Sequence, residues 1–129
     1  MPRLFVYGTL RKGGNNHHYM NGALLLSLHT VVKGTLVDSG KGFPGMLLED
    51  GMVFGELYDV SEETLARIDK LEEYFGPDVS TNLYNRVEVD VRTEQATMSA
   101  WTYIYNCEDY FHPRFSDWMQ YNERRERFS

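Results

Sequence analysis

The chain has 129 residues, of which 42% are hydrophobic and 14% aromatic, and its formal net charge is −6. A chain of this length is expected to form a single domain over residues 1–129, which buries roughly two thirds of its unfolded surface without needing disulfides. Because the net negative charge repels phosphate backbones, we expect no nucleic-acid partner.

The cysteine count and the apolar runs indicate a cellular location. Cys107 is the single cysteine and has no partner for an internal disulfide, and the first residues lack the pattern of a secretion signal. The aliphatic run at residues 23–26 is far shorter than the roughly 18 residues that indicate a membrane span. We therefore expect a cytoplasmic protein without a membrane anchor.

The first half of the chain is dominated by strand patterns. Residues 3–7 form a short apolar run that ends at Gly8 and Thr9, which is typical of a buried strand followed by a turn. The loop that follows ends in asparagines able to cap a short helix from His17 to about Leu25. Further strands are predicted at residues 30–37, 46–48 and 52–60, separated by turns rich in glycine and proline.

Ser61 begins the clearest helix of the sequence. Its hydroxyl is a favourable N-cap, and Glu62 and Glu63 place negative charge at the positive end of the helix dipole. The helix is predicted to run to about Glu72 and to end before the Gly76-Pro77 pair. Strands are predicted at residues 84–92 and 98–105, and a terminal helix near residues 116–118.

These elements predict the α+β class. About six strands of differing pattern, one firm helix after the fourth strand and helices near both ends do not form a regular alternation of strand and helix. The pattern alone leaves open whether the strands close into a barrel.

The position of Glu72 on its helix is the most informative single feature. The apolar stripe of this helix consists of Leu65, Ile68 and Leu71. At roughly 100° per residue, the centre of that stripe lies about 40° from Glu72 but about 140° from Glu73. Glu72 is therefore predicted to point toward the core, and Glu73 away from it.

A carboxylate in that position is disfavoured by desolvation and by the negative end of the helix dipole. The pKa of Glu72 should therefore rise toward the range useful to a general base. The alternative is that Glu72 frays into solvent or pairs with Arg86, and the pattern alone favours neither interpretation.

The turn after the first strand is a second candidate feature. Its sequence is Tyr7-Gly8-Thr9-Leu10-Arg11, with Gly13 and Asn15 behind it. Glycine lets the backbone approach a ligand closely, and successive amide N–H groups at such a turn can bind an anion such as a carboxylate. The spacing is not that of a phosphate-binding loop, and from the pattern alone an ordinary tight turn is the favoured interpretation, because turns that contain glycine are common.

Other chemically active side chains give weaker signals. His17 and His18 are neighbours on a predicted helix and point roughly 100° apart, which is poor for joint metal binding. Cys107 has no histidine close in sequence, and the aromatic face of Trp101, Tyr103 and Tyr105 is more typical of a core. We expect no metal and no cofactor.

A set of short motifs resembles the γ-glutamylcyclotransferase-like family of bacterial proteins. The motifs occur in the order YGTLRKG, FPG, GELYDV, IDKLEEY, YNR and SDW, and they span nearly the whole chain. Each motif is short, but their shared order makes the set specific. The resemblance implies a small mixed β-barrel with flanking short helices.

The resemblance also implies roles for individual residues. The YG(S/T)L turn of that family binds substrate through its backbone, which corresponds here to Tyr7, Gly8, Thr9 and Leu10. The family's acid/base glutamate in the LE motif corresponds to Glu72. The Tyr-x-Arg motif of the family corresponds to Tyr84 and Arg86, for which either substrate contact or a scaffolding role is implied.

The implied reaction needs no metal or cofactor. A γ-glutamyl amine or small γ-glutamyl peptide carries its own nucleophile, the α-amine, which closes onto the γ-carbonyl and yields 5-oxoproline with release of the amine. The protein has to fold the substrate into the cyclising conformer and move protons. The implied partner is therefore a small γ-glutamyl molecule.

Two other functions remain compatible with the sequence. One is a non-catalytic small-ligand-binding or interaction domain that keeps the same pocket, because fold does not fix function. The other is hydrolysis or acyl transfer on a different amide, with water or an external amine as nucleophile. The sequence gives neither the leaving amine nor the oligomeric state.

Overall fold

Five strands form a closed barrel in the computed structural model, which describes residues 1–109 and 111–128. The order around the barrel is β1-β3-β2-β4-β5, with β1 parallel to β5 and the other pairs antiparallel. The predicted α+β class and the small mixed barrel are confirmed. The elements are β1 (Arg3–Val6), a 3₁₀ helix (His17–Met20), β2 (Leu24–Asp38), β3 (Pro44–Asp59), α1 (Glu62–Leu71), β4 (Tyr84–Arg92), β5 (Thr97–Tyr105) and α2 (Trp118–Phe128).

The predicted helix from His17 to about Leu25 is wrong beyond Met20. The chain leaves the 3₁₀ helix at Gly22, whose φ of +86° suits glycine rather than a helical residue, and the following leucines begin β2. In the same way, the predicted strands at 46–48 and 52–60 are parts of the single long strand β3. The pairing of β2 with β3 continues through the residues between these two predicted strands, because shifts of the strand register accommodate residues that do not fit the regular ladder.

Strand β1 separates two hydrophobic clusters because successive side chains of a strand point to opposite faces. Phe5 and Tyr7 belong to a cluster that includes residues of all five strands and therefore fills the barrel. Leu4 and Val6 belong to the second cluster, in which α1 and the 3₁₀ helix pack on the outside of the barrel. This second cluster lies next to the candidate site.

Helix α1 begins as the sequence predicts. The Ser61 hydroxyl accepts a hydrogen bond from the Thr64 amide at 3.0 Å, an N-cap that typically contributes about 1 kcal/mol. Leu65 and Ile68 are buried, so the apolar stripe faces the barrel as expected. In the described part of the chain, neither helix has the length and apolar character needed to cross a membrane.

Candidate active site

A cavity of about 510 Å³ opens between the end of α1, the turn after β1 and the start of β4. Its volume lies in the range typical of sites for small molecules. The two features that the sequence singled out therefore meet in one place. Its lining includes Tyr7, Gly8, Thr9, Leu10, Lys41, Pro44, Glu72, Glu73, Asn82, Tyr84, Tyr103 and Asn106.

Glu72 lies at the C-cap of α1, where its backbone N–H still donates to the Ile68 carbonyl at 2.9 Å. Its carboxyl lines the cavity and has no hydrogen bond or ion pair with any residue that the structure describes. Burial raises the pKa of Glu72 to about 7, because no partner offsets the loss of solvation. The group can therefore exchange a proton near neutral pH.

Arg86 does not pair with Glu72. Its Nη1 donates instead to Asp69 at 2.8 Å, and its guanidinium lies 4.8 Å from the Trp101 ring centroid and 5.3 Å from that of Tyr74. Arg86 is not among the lining residues of the cavity. The geometry thus removes the alternative of a Glu72–Arg86 pair and favours the scaffolding role for Arg86 over substrate contact.

Three tyrosines line the cavity around Glu72, and their hydroxyl protons are engaged elsewhere. Tyr7 donates to the Tyr103 carbonyl at 2.6 Å, and Tyr84 donates to the Pro44 carbonyl at 2.5 Å. Tyr103 donates to Asp69 at 2.7 Å. Burial raises the pKa of all three, and the negative charge of Glu72 adds to this effect, so they stay protonated at neutral pH.

The turn after β1, which also lines the cavity, has unpaired backbone donors. The amide N–H groups of Gly8, Thr9 and Leu10 have no acceptor among the described residues. Their carbonyls are engaged, since Gly8 accepts from the Arg11 amide at 3.1 Å and Thr9 from the Asn16 amide at 2.9 Å. A turn with free N–H groups and bonded carbonyls is a suitable site for an anion.

The glycine of this turn is required by its surroundings. A Cβ at Gly8 would lie 2.9 Å from two ring carbons of Pro44, which is closer than a side chain tolerates. Gly8 and Pro44 both line the cavity, so their contact fixes how near the turn comes to the start of β3. Tyr84, which binds the Pro44 carbonyl, strengthens the same contact.

The structure adds residues to the site that the sequence did not indicate. Tyr103 was interpreted as a core residue, but it both packs in the core and lines the cavity. Lys41, Asn82 and Asn106 come from loops whose positions depend on the fold. The one signal for Tyr103 is its position opposite Arg86 in the pairing of β4 with β5. That position follows from the strand register, which the sequence alone does not give.

Glu73 differs from its prediction. It is exposed, as expected, but it lies at the rim of the same cavity rather than on the far side of the helix. The reason is that α1 ends at Leu71 and Glu73 adopts a left-handed conformation with φ of +53°. The helical phase of 100° per residue no longer applies beyond the helix end.

Comparisons with known proteins indicate the family to which the chain belongs. A family profile described as "Gamma-glutamyl cyclotransferase, AIG2-like" matches residues 4–120. The chain is 59% identical over 121 residues to a protein from Niallia circulans named gamma-L-glutamyl-butirosin B gamma-glutamyl cyclotransferase. That match covers 94% of this chain and 78% of its relative.

Solved structures share the fold. YkqA from Bacillus subtilis matches with a TM-score of 0.79 at 25% identity, covering 98% of this chain but 42% of YkqA. The solution structure of YtfP from Escherichia coli matches with a TM-score of 0.65 at 31% identity, covering 93% of this chain and 98% of YtfP.

The fold and the comparisons define an enzyme of the γ-glutamylcyclotransferase type, so the alternative of a non-catalytic domain is not supported. The family profile spans most of the chain. The chain therefore belongs to the γ-glutamyl cyclotransferase, AIG2-like family. Within residues 1–109 and 111–128, no group of three or more His, Cys, Asp or Glu side chains is arranged to hold a metal ion.

Proposed function

We propose that Glu72 is the general acid/base in the cyclisation of a γ-glutamyl amide to 5-oxoproline. The observation that carries this proposal is a cavity carboxyl that has no hydrogen bond or ion pair within residues 1–109 and 111–128 and whose pKa is raised to about 7. A general base works best when its pKa lies near the operating pH. Glu72 meets that condition.

The free amides of Gly8, Thr9 and Leu10 are suited to the α-carboxylate of the substrate. With the carboxylate held at this turn, the α-ammonium lies toward Glu72. The γ-carbonyl then lies between them, within reach of the α-nitrogen. The tyrosine rings of Tyr84 and Tyr103 form apolar walls that favour the folded conformer of the substrate.

The reaction balances without water or a cofactor. Glu72 takes one proton from the α-ammonium, and the resulting amine attacks the γ-carbonyl carbon to form the new carbon–nitrogen bond of the ring. Glu72 then returns this proton to the leaving nitrogen of the tetrahedral intermediate, and the bond between the γ-carbon and that nitrogen breaks. The ring nitrogen loses its second proton to Glu72, which passes it to the released amine, so that the amine leaves as an ammonium. The products are 5-oxoproline and the free amine.

The leaving amine is proposed by similarity. The relative from Niallia circulans is named for gamma-L-glutamyl-butirosin B, and the identity of 59% covers nearly this whole chain. We propose that this enzyme also removes the γ-glutamyl group from an amine of a small molecule. A cytoplasmic location, without nucleic-acid or membrane partners, is part of this proposal, and the net charge of −6 supports the absence of a nucleic-acid partner.

Product analysis tests the proposed function. The protein is incubated with γ-glutamyl-butirosin B and with a panel of γ-glutamyl amino acids, and 5-oxoproline and free glutamate are measured separately. We expect 5-oxoproline from at least one substrate and no glutamate. Release of glutamate in place of 5-oxoproline would indicate hydrolysis, and release of neither would contradict the proposal.

A further inference from the structure

A buried ionic cluster lies behind the turn that follows β1. Arg11 Nε donates to Glu56 Oε2 at 3.3 Å, and Arg11 Nη1 donates to Asp117 Oδ1 at 3.0 Å. The side chains of Arg11 and Glu56 are only 13% and 5% exposed. None of the three residues lines the cavity, so the cluster does not belong to the site described above.

Glu56 is the centre of this cluster. Its Oε1 accepts hydrogen bonds from the Lys12 amide at 2.9 Å and from the Tyr58 hydroxyl at 2.9 Å, while Oε2 faces Arg11. Burying a charged carboxylate is costly unless such partners satisfy it. These contacts come from the two residues that follow the turn, Arg11 and Lys12, and from Tyr58 of β3.

Glu56 contacts the chain both before and after the turn. The backbone of Glu56 in β3 pairs with Val6, the last residue of β1. Its side chain binds the Lys12 amide and the Arg11 guanidinium, which follow the turn. The three free amides at Gly8, Thr9 and Leu10 lie between these two points of attachment.

We infer that Glu56, with Arg11, is a positioning residue that fixes the backbone of the turn so that its free amides bind the substrate α-carboxylate. This inference rests on the proposed function. Loops with few fixed points sample many backbone conformations, and ordering them on binding lowers affinity. Because Glu56 orders the turn before the substrate binds, the free-energy cost of ordering it does not lower the affinity. Glu56 itself does not contact the substrate.

The expected kinetic consequence separates Glu56 from Glu72. The α-carboxylate keeps its charge throughout the reaction, so the turn binds the ground state and the transition state about equally. Loss of such uniform binding raises KM and leaves kcat nearly unchanged. A residue that supports only global folding would change neither parameter in the folded fraction.

The direct test is the preference for a carboxylate. Binding of 5-oxoproline and of its primary amide, 5-oxoprolinamide, is measured by calorimetry for the wild-type protein and for Glu56→Gln. We expect the wild type to prefer the carboxylate and Glu56→Gln to reduce that preference about tenfold, the scale of a hydrogen bond to a charged group. The KM for a γ-glutamyl substrate should rise by a similar factor.

Glu49→Gln is the matched control. Glu49 lies on the same strand and also binds an arginine and a hydroxyl, those of Arg114 and Thr35, but it does not line the cavity. Its substitution removes an ion pair of the same kind, though a more exposed one, away from the turn. We expect the carboxylate preference of this variant to equal that of the wild type.

The inference is overturned if folded Glu56→Gln keeps the wild-type preference, or if the wild type itself does not prefer the carboxylate. If Glu56→Gln does not fold, Arg11→Lys decides the question, because lysine keeps the charge but cannot bridge two carboxylates in the same way. An unchanged preference in that variant overturns the inference. Failure of the proposed function has a different signature, which is absence of 5-oxoproline from every substrate with the wild-type protein.

Discussion

Glu56 and Glu72 are two poorly exposed carboxyl groups on either side of the same turn, and their surroundings are opposite. Glu56 has three hydrogen-bond donors around it, whereas Glu72 has none among the described residues. A charge with its full set of partners holds a structure in place. A carboxyl without partners keeps its proton near neutral pH and is available for chemistry.

The largest expected effect is on turnover. Glu72→Gln is nearly isosteric and removes the proton-transfer capacity, so kcat should fall by about 10²–10⁴-fold while 5-oxoproline still binds. Steady-state kinetics on a confirmed substrate measure this. Glu63→Gln, on the exposed face of the same helix, is the control and should keep the wild-type rate. Wild-type turnover by Glu72→Gln would mean that the acid/base role lies elsewhere.

Stability should change in opposite directions at the two sites. Glu56→Gln leaves Arg11 with one carboxylate fewer, so the free energy of unfolding should fall by about 3 kcal/mol, at the lower end for a broken buried pair. Glu72→Gln should raise it at pH 8 by up to about 3 kcal/mol, because the folded protein no longer holds an unpaired anion. Urea unfolding of both variants measures this, and equal signs would contradict the comparison.

The pH dependence of the wild type sharpens the contrast. The pKa of Glu72 is raised from 4.5 to about 7 on folding, so protonation of this group favours the folded state. That stabilisation is complete below about pH 4.5 and is lost as the pH rises through 7. Activity follows the opposite course, because a base must be deprotonated.

We expect kcat/KM to fall about tenfold for each pH unit below 7. The pH–rate profile of the wild type, recorded between about pH 5 and pH 8, measures this limb. An acidic limb near the ordinary glutamate pKa of 4.5 would show that Glu72 is not the titrating base.

The smallest expected effect concerns the neighbouring glutamate. Glu73 is exposed at the rim, and its carboxyl has no hydrogen bond or ion pair among the described residues, so Glu73→Gln should change kcat by less than about threefold. Parallel assays of the two adjacent variants test the assignment. A large loss at Glu73 with none at Glu72 would place the acid/base one residue further along the chain.

Much of the site follows from sequence because it depends on local structure. The stripe of Leu65, Ile68 and Leu71 turns Glu72 inward over one helix, and the motif order places the turn at Gly8. Both are short-range features that helical phase and backbone chemistry determine. The barrel itself was implied by the family resemblance and not by periodicity.

The remaining parts depend on contacts between distant residues. Arg86 is held by an ion pair with Asp69 and by contacts with two aromatic rings. Tyr103 lines the cavity because the register of β5 places it there, where its hydroxyl also binds Asp69. The sequence indicates Glu56 only as part of a strand, because Arg11, which joins the cluster, lies 45 positions from Glu56 and 106 positions from Asp117. No local pattern encodes such contacts.

The hydroxyls of Tyr7, Tyr84 and Tyr103 also determine which protons in the cavity are available to the substrate. Each of these hydroxyls donates to a fixed acceptor of the protein, so none is free to supply a proton to the substrate. In the proposed reaction, the proton that Glu72 carries enters with the α-ammonium and leaves with the amine. The enzyme then ends each turnover with the protonation state in which it began, ready for the next substrate without an exchange with bulk water.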